Sequence, residues 1–161
     1  MDKIAEELNP LAFILNHNIL SENGSPIEFK DHYFLIDPYA DLSPQQVVMK
    51  PSQIGWSVLG INKSLWLAKF KKANIIYTLP SKSIVKDFVS PKVDSIIIQN
   101  PIYQDWLGKT DSIALKAVGD RFIYFRGSWE ELAAISISAH VLINDERDRS
   151  NQTVLSTYQT R

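Results

Sequence analysis

Short apolar runs alternate along the chain with segments of helical periodicity. VVMK (Val47–Lys50) and NIIYTLP (Asn74–Pro80) each hold consecutive aliphatic or β-branched residues, which predicts two buried strands. Between them, apolar residues recur at helical spacing, at Val58, Ile61, Leu65 and Ala68. The helix predicted by this spacing ends in the basic run KFKK, and lysines in a last turn suit the negative end of a helix dipole.

The pattern changes after the second strand. SKSIVKDFVSPKVDSIII predicts a helix interrupted or kinked at Pro91, with one apolar face made of Ile84, Val85, Phe88 and Val89. SIALKAVGDRFIYFRGS holds two β-prone runs around Gly119-Asp120, which predicts a hairpin; EELAAISISA predicts a helix and HVLIND a further strand. This order predicts an α/β protein with a mainly parallel sheet flanked by helices.

Turn formers and aromatic residues dominate the first part of the chain. Residues 1–44 are therefore predicted to be an irregular lead-in with one or two short helices, followed by an α/β core at 45–161. With 161 residues, 45% of them hydrophobic, the chain can bury one substantial core. No apolar run approaches the roughly 18 to 20 residues of a membrane span, and the start MDKIAEELNP is no secretory signal, so we expect a cytoplasmic protein.

Charge and cysteine content exclude some chemistry. The chain has no cysteine, which rules out disulfides and thiolate metal sites. Its net charge of −1 gives no overall attraction to nucleic acid, so any contact with DNA would have to be local.

The stretch KPSQIGWS (Lys50–Ser57) follows the first predicted strand and precedes the first core helix. Aligned with G-x-x-x-x-G-K-[ST], it keeps Gly55 and Ser57, but Lys50 replaces the first glycine and Trp56 replaces the lysine. A lysine at the start of a curled loop can still reach phosphates placed at the helix N-terminus. The alternative is that Gly55 simply makes a turn, and in either case Trp56 is interpreted as a packing residue.

A second candidate site lies at the end of the last predicted strand. HVLINDERD places Asp145 and Glu146 directly after apolar residues, as a magnesium-dependent nucleotide hydrolase requires. Acidic residues after a strand are also common in solvated loops. A parallel sheet would bring this strand end and the KPSQIGWS loop to the same edge, where such sheets bind ligands.

Together these segments resemble a known family, the large terminase subunits of tailed bacteriophages and prophages. KPSQIGWS resembles that family's deviant phosphate loop, and VLINDERDRSNQTVLSTYQTR is similar to its second motif and following helix. PIEFKDHYFLIDPYAD, IIYTLPSKSIVKDFVSPKVDSII and FIYFRGS are similar to its base-binding lead-in and intervening segments. The resemblance runs from about Pro26 to the end of the sequence.

The resemblance implies a P-loop NTPase core of the additional-strand class that hydrolyses ATP with Mg²⁺. The implied partners are double-stranded viral DNA, a small terminase subunit and a portal protein, with the full-length subunit in a homo-oligomeric ring in the bacterial host cytoplasm. No counterpart of the family's C-terminal nuclease domain is present in these residues, so we expect only a partial ATPase core.

The resemblance also implies individual roles. Lys50 would be the phosphate lysine, Asp145 a magnesium carboxylate and Glu146 the catalytic base. Arg126 is a candidate arginine finger, with Arg147 and Arg149 as alternatives. The ATP-binding loop would comprise Lys50, Pro51, Ser52, Gln53, Ile54, Gly55, Trp56 and Ser57, and Ser57 would also supply a hydroxyl to magnesium.

Two other functions remain open from the sequence. A helicase-type translocase would use the same phosphate-binding and acidic residues at the ends of its strands. A non-catalytic phage assembly or DNA-binding module would explain Trp56 at the usual lysine position.

Overall fold

The computed structural model describes residues 3–129 and 137–159. Within these residues, no helix is both long enough and apolar enough to cross a membrane. The helix predicted from EELAAISISA falls largely on residues 130–136, outside the described residues.

A mixed sheet forms the centre of the α/β fold. Its strands are β1 (Ile75–Leu79), β2 (Leu107–Ser112), β3 (Leu115–Val118), β4 (Arg121–Gly127) and β5 (Val141–Asn144). The order across the described sheet is β2-β3-β4-β1-β5. β1 pairs in parallel with β4 and β5, whereas β2, β3 and β4 pair antiparallel. The hairpin around Gly119 is confirmed, but the sheet is mixed and not mainly parallel as predicted, because two of its four described strand pairings are parallel and the two that involve β3 are antiparallel.

Helices cover both faces of the central strands. The principal helices are α4 (Trp56–Phe70), α5 (Lys82–Phe88), α6 (Ser95–Gln99), α7 (Pro101–Gln104) and α8 (Gln152–Gln159). Every residue of β1 is buried, as expected for a strand covered on both faces. Tyr77 faces the main core beside α4, whereas Ile76 packs in a second cluster with Leu155 of α8.

Helix α4 is buried along most of its length, including several polar side chains. Tyr103 donates a 2.6 Å hydrogen bond to the Asn62 side chain, and the Lys63 ammonium donates to the carbonyls of Pro38 and Asp41. Burial lowers the pKa of Lys63, and the nearby charge of Asp41 partly opposes that effect. The hydrogen bonds from Lys63 to Pro38 and Asp41 therefore attach the lead-in to α4, the helix that follows the KPSQIGWS loop.

The lead-in contains more helix than the sequence predicts. Its elements are α1 (Lys3–Leu8), α2 (Pro10–Asn16), a 3-10 turn (Tyr33–Leu35) and α3 (Ile36–Ala40). Asn9 caps α2 through its side chain, and Pro10 occupies the first turn, where its missing N–H costs nothing. The indole of Trp66, wholly buried in α4, donates to the Glu6 carbonyl at 2.7 Å and so ties α1 to the core.

The strand predicted at Val47–Lys50 does not form. These residues have no secondary structure, and the side chains of Val47 and Met49 are 93% and 100% exposed. An apolar run becomes a buried strand only where a neighbouring strand accepts its hydrogen bonds. Among the described residues, β5 pairs with β1 alone, so the segment before Lys50 lies outside the sheet.

Pro91 changes the type of helix without ending it. A π-helical segment, Val89–Asp94, joins α5 directly to α6. Proline has no N–H for the ordinary i→i−4 ladder, and a wider turn is one way to accommodate it. Val85, Phe88 and Val89 are buried as predicted, but Ile84 is wrongly placed on that face, because it lies 36% exposed beside the cleft described below.

Candidate active site

The two sequence motifs meet at the carboxyl end of β5. The Asp145 main-chain N–H donates to the Thr78 carbonyl at 3.0 Å, which fixes the strand end beside β1. From the KPSQIGWS loop, the Lys50 ammonium lies 2.8 Å from Asp145 Oδ1, and the Ser57 hydroxyl donates to Oδ2 at 2.9 Å. Lys50, Ser57 and Asp145, which the sequence separates widely, therefore form one cluster.

Asp145 accepts several hydrogen bonds within and around that cluster. Its Oδ2 accepts a second hydrogen bond, 3.0 Å long, from the hydroxyl of Tyr77, and its Oδ1 accepts the Glu146 main-chain N–H at 3.0 Å. Burial raises the pKa of Asp145, but Lys50, followed by Ser57 and Tyr77, outweighs burial and holds the pKa below its ordinary value. The carboxylate is therefore ionised at neutral pH although it is only 8% exposed.

Tyr77 is a site residue that the sequence analysis missed. Burial raises its pKa well above the ordinary value, and the charge of Asp145 adds to that rise, so the phenol remains a neutral donor. Its hydroxyl has room because position 60 is a glycine: a Cβ there would lie 2.9 Å from the Tyr77 oxygen. A tyrosine in the middle of an apolar strand gives no sign in sequence that it reaches a carboxylate.

The loop before α4 leads into the helix N-terminus that carries Ser57 of this cluster. Gln53 and Gly55 have left-handed backbone conformations, with φ of 60° and 84°. Gly55 is the N-cap of α4, and no side chain caps that end. The N–H groups of a first helical turn have no partner within the helix, and together with the helix dipole they favour an anion.

The other loop residues divide by exposure. Pro51, Ser52 and Gln53 are exposed, and Ile54 is half-buried. Trp56 is partly buried and packs against the main core, in agreement with its interpretation as a packing residue.

Glu146 lies next to Asp145 in a strained backbone conformation. Its φ and ψ are 52° and 48°, a left-handed region that costs a residue with a side chain on the order of 1 kcal/mol or more. Its carboxylate is 43% exposed and lies 3.8 Å from the Arg149 guanidinium. Glu146 lines the cleft that also contains Ser57 and Asp145.

The arginine candidates are dispersed. Arg126 donates to the main-chain carbonyls of Ala114 and Phe125 at 2.8 and 2.9 Å and lies over the Tyr124 ring. These contacts hold its guanidinium toward the β2–β3 turn, so the structure does not bring Arg126 into the Asp145 cluster. Arg147 contacts Gln152, and only Arg149 approaches a site carboxylate.

A cleft of about 190 Å³ opens in front of these groups. Its lining includes Ser57, Asp145 and Glu146 from the two motifs, together with Ile84, Asp87, Phe88 and Lys92 from α5 and the π-helical segment. Asp87 and Lys92 were missed by the sequence analysis, which read that segment only as an apolar helix face.

The donor set suits a magnesium ion that is shared with phosphate groups. Mg²⁺ in such sites takes one or two carboxylate or hydroxyl ligands from the protein and completes its shell with water and phosphate oxygens. Asp145 and Ser57, 2.9 Å apart, are a pair of that kind. In the part of the chain that the structure describes, no group of three or more His, Cys, Asp or Glu residues could hold a metal alone.

Comparison with known proteins identifies no relative of this chain. No family model, no curated protein and no solved structure matches this chain. Function must therefore be inferred from the geometry of the site and from the residues that carry the resemblance.

Proposed function

We propose that the chain is the ATPase segment of a bacteriophage or prophage terminase large subunit, which couples Mg²⁺-dependent ATP hydrolysis to DNA packaging. The observation that carries this proposal is the double engagement of Asp145, by Lys50 at 2.8 Å and by Ser57 at 2.9 Å. A phosphate-binding lysine, a metal-binding hydroxyl and a metal-binding carboxylate must lie within one ligand's reach in such an enzyme, and these three do.

Each residue then has a defined task. Lys50 leaves Asp145 to neutralise phosphate oxygens, which also lie against the N-terminus of α4. Asp145 and Ser57 hold the magnesium ion, which when bound offsets the charge that develops on the phosphates. Glu146 orients the attacking water and accepts its proton, so that ATP and water give ADP and phosphate. The arginine finger is left unassigned because Arg126 bonds carbonyls outside the cleft.

The packaging role rests on the family resemblance. As part of the same proposal, the partners are double-stranded viral DNA, a small terminase subunit and a portal protein, with ring assembly of the full-length subunit in the host cytoplasm. A nuclease domain encoded downstream in the same gene would favour a terminase over a helicase-type translocase.

One observation favours a different function, a non-catalytic phage module. Val47–Lys50 is an exposed segment and not a strand, so the loop that follows lacks the strand support expected of a phosphate loop. In that case the Lys50–Asp145 ion pair would serve only to hold the loop in place.

Calorimetry with ATP and Mg²⁺ separates these two functions. We expect the unmodified chain to bind ATP only when Mg²⁺ is present, and Lys50→Ala to weaken binding by about tenfold or more, because a charge-assisted hydrogen bond is lost. Lys109→Ala, which removes an exposed lysine of β2, is the matched control and should leave binding unchanged. A folded chain that binds no ATP at any Mg²⁺ concentration would overturn the ATPase proposal.

A further inference from the structure

The cleft that contains Asp145 is also lined by a lysine, Lys92, to which the proposed function gives no role. Lys92 lies in the π-helical segment Val89–Asp94 and lines the cleft together with Ser57, Asp145 and Glu146. Short π-helical insertions occur frequently at functional sites, because they redirect a few side chains within an otherwise regular helix.

Lys92 lies near an aromatic ring of the cleft lining. Its ammonium lies 5.6 Å from the centroid of Phe88, which itself lines the cleft. Among the ion pairs of residues 3–129 and 137–159, none includes Lys92. A cation–π contact at a partly exposed site is weak, so an anionic ligand could attract this ammonium without first breaking an ion pair.

The charges around the cleft define what Lys92 could bind. Asp87, Asp145 and Glu146 contribute three carboxylates to its lining, and Lys92 contributes the ammonium. Lys50 pairs with Asp145 from the loop before α4, whereas Lys92 lines the cleft from the π-helical segment. A ligand that combines a divalent cation with several phosphate oxygens would satisfy both signs of charge.

We propose that Lys92 binds the terminal phosphate of the nucleotide and stabilises the charge on it during transfer to water. This role presupposes the ATP site proposed above. The terminal phosphate is favoured over the inner ones because Lys92 shares the cleft with Glu146, the residue placed to direct water at that phosphorus. Preorganised cations at a transferring phosphoryl group are a principal source of its catalysis, and Lys92 would supply one from within the same chain.

The test compares ATP with ADP, because ADP lacks the group that Lys92 would contact. Affinities for both nucleotides with Mg²⁺ are measured by calorimetry on the whole chain and on Lys92→Met, Lys92→Arg and Lys86→Met. Lys86 is the matched control, since it is an exposed lysine of α5 that does not line the cleft. We expect Lys92→Met to weaken ATP binding about tenfold and to leave ADP binding unchanged. Lys92→Arg should restore most of the preference for ATP, and Lys86→Met should behave as the unmodified chain.

The possible failures are distinguishable. In one case the unmodified chain binds ATP, and Lys92→Met either weakens the binding of ATP and ADP equally or weakens the binding of neither. Lys92 then does not contact the terminal phosphate, and the ATP site stands. If the unmodified chain binds neither nucleotide, the ATP site fails and the role of Lys92 fails with it.

Discussion

The Lys50 ammonium forms an ion pair with Asp145, the carboxylate that would also bind the magnesium ion of the proposed site. The distance from Nζ to Oδ1 is 2.8 Å, and the lysine side chain is 27% exposed. An ammonium and a divalent cation repel each other and compete for the same oxygen atoms. At the site proposed above, Lys50 would therefore oppose metal binding until phosphate groups drew it away.

This competition leads to a prediction for Lys50→Met. Without nucleotide, the variant should bind a divalent cation several-fold more tightly than the unmodified chain, although it binds ATP more weakly. Mn²⁺ titrations followed by electron paramagnetic resonance would measure the first effect. Lys109→Met removes the same charge from exposed β2 and controls for the change in net charge. Unchanged or weaker Mn²⁺ binding by Lys50→Met would show that Asp145 is not the metal ligand.

A second prediction concerns the hydroxyl of Tyr77. Tyr77→Phe removes one of the two donors to Asp145 Oδ2, and a hydrogen bond to a charged group contributes about 1.5 to 3 kcal/mol. We expect Tyr77→Phe to lower the free energy of unfolding measured in urea. Because the Asp145 carboxylate is then held in place by one hydrogen bond fewer, the variant should also need a higher Mg²⁺ concentration for half-maximal ATP binding.

Tyr103→Phe is the matched control for Tyr77→Phe. Tyr103 is also fully buried, but its hydroxyl bonds to Asn62 away from the cleft. It should lose somewhat less stability than Tyr77→Phe, because the Asn62 amide is neutral, and it should show no change in the Mg²⁺ requirement. Equal shifts in the Mg²⁺ requirement for both variants would reduce Tyr77 to a purely structural residue.

Gly127 should be intolerant of any side chain. A Cβ there would lie 2.6 Å from the Lys82 nitrogen and 2.8 Å from the Ser81 carbonyl carbon, both main-chain atoms at the start of α5. Gly127→Ala should therefore lower the free energy of unfolding by about 1 to 3 kcal/mol, as overpacking does elsewhere. Gly119→Ala, where a Cβ meets no atom within 4 Å but φ is 60°, should cost less. Urea unfolding measures both, and the reverse order would contradict the packing at Gly127.

The pair formed by Glu6 and His17 predicts a dependence on pH. The hydrogen bond from His17, opposed by burial and supported by Asn16, lowers the pKa of Glu6 from its ordinary value of 4.5. A carboxyl whose pKa is lower in the folded state stabilises the fold above pH 4.5, and this stability is lost as the pH falls through the folded-state pKa.

The stability advantage of the unmodified chain over Glu6→Gln should therefore be largest near neutral pH and shrink below pH 4.5. Glu7→Gln, on the exposed neighbour, should show no such dependence. Unfolding curves at several pH values would test this, and an advantage that grows on acidification would contradict it.

The sequence predicted those parts of the fold that depend on local patterns. Helix α4, strands β1 and β5 and the hairpin at Gly119 follow from periodicity and turn residues, and the structure confirms them. The convergence of Lys50, Ser57 and Asp145 agrees with the expectation that both motifs reach one edge of the sheet.

The remaining features depend on neighbours that are distant in sequence. VVMK has the composition of a strand, but an apolar run does not specify whether a partner strand is available. Tyr77 acts through a hydroxyl whose position depends on Gly60, and Lys92 enters the cleft through a π-helical segment. Neither relation leaves a local signature, so neither could be read from the sequence.

The pairing of β5 also has a consequence for how the protein behaves in solution. In the described part of the sheet, β5 pairs on one side only, with β1, and the residues Val47 and Met49 elsewhere on the surface are exposed. An open strand edge can pair with another chain, and charge repulsion would be slight at a net charge of −1. Self-association through this strand edge should thus increase as protein concentration rises, and dilute samples will limit it.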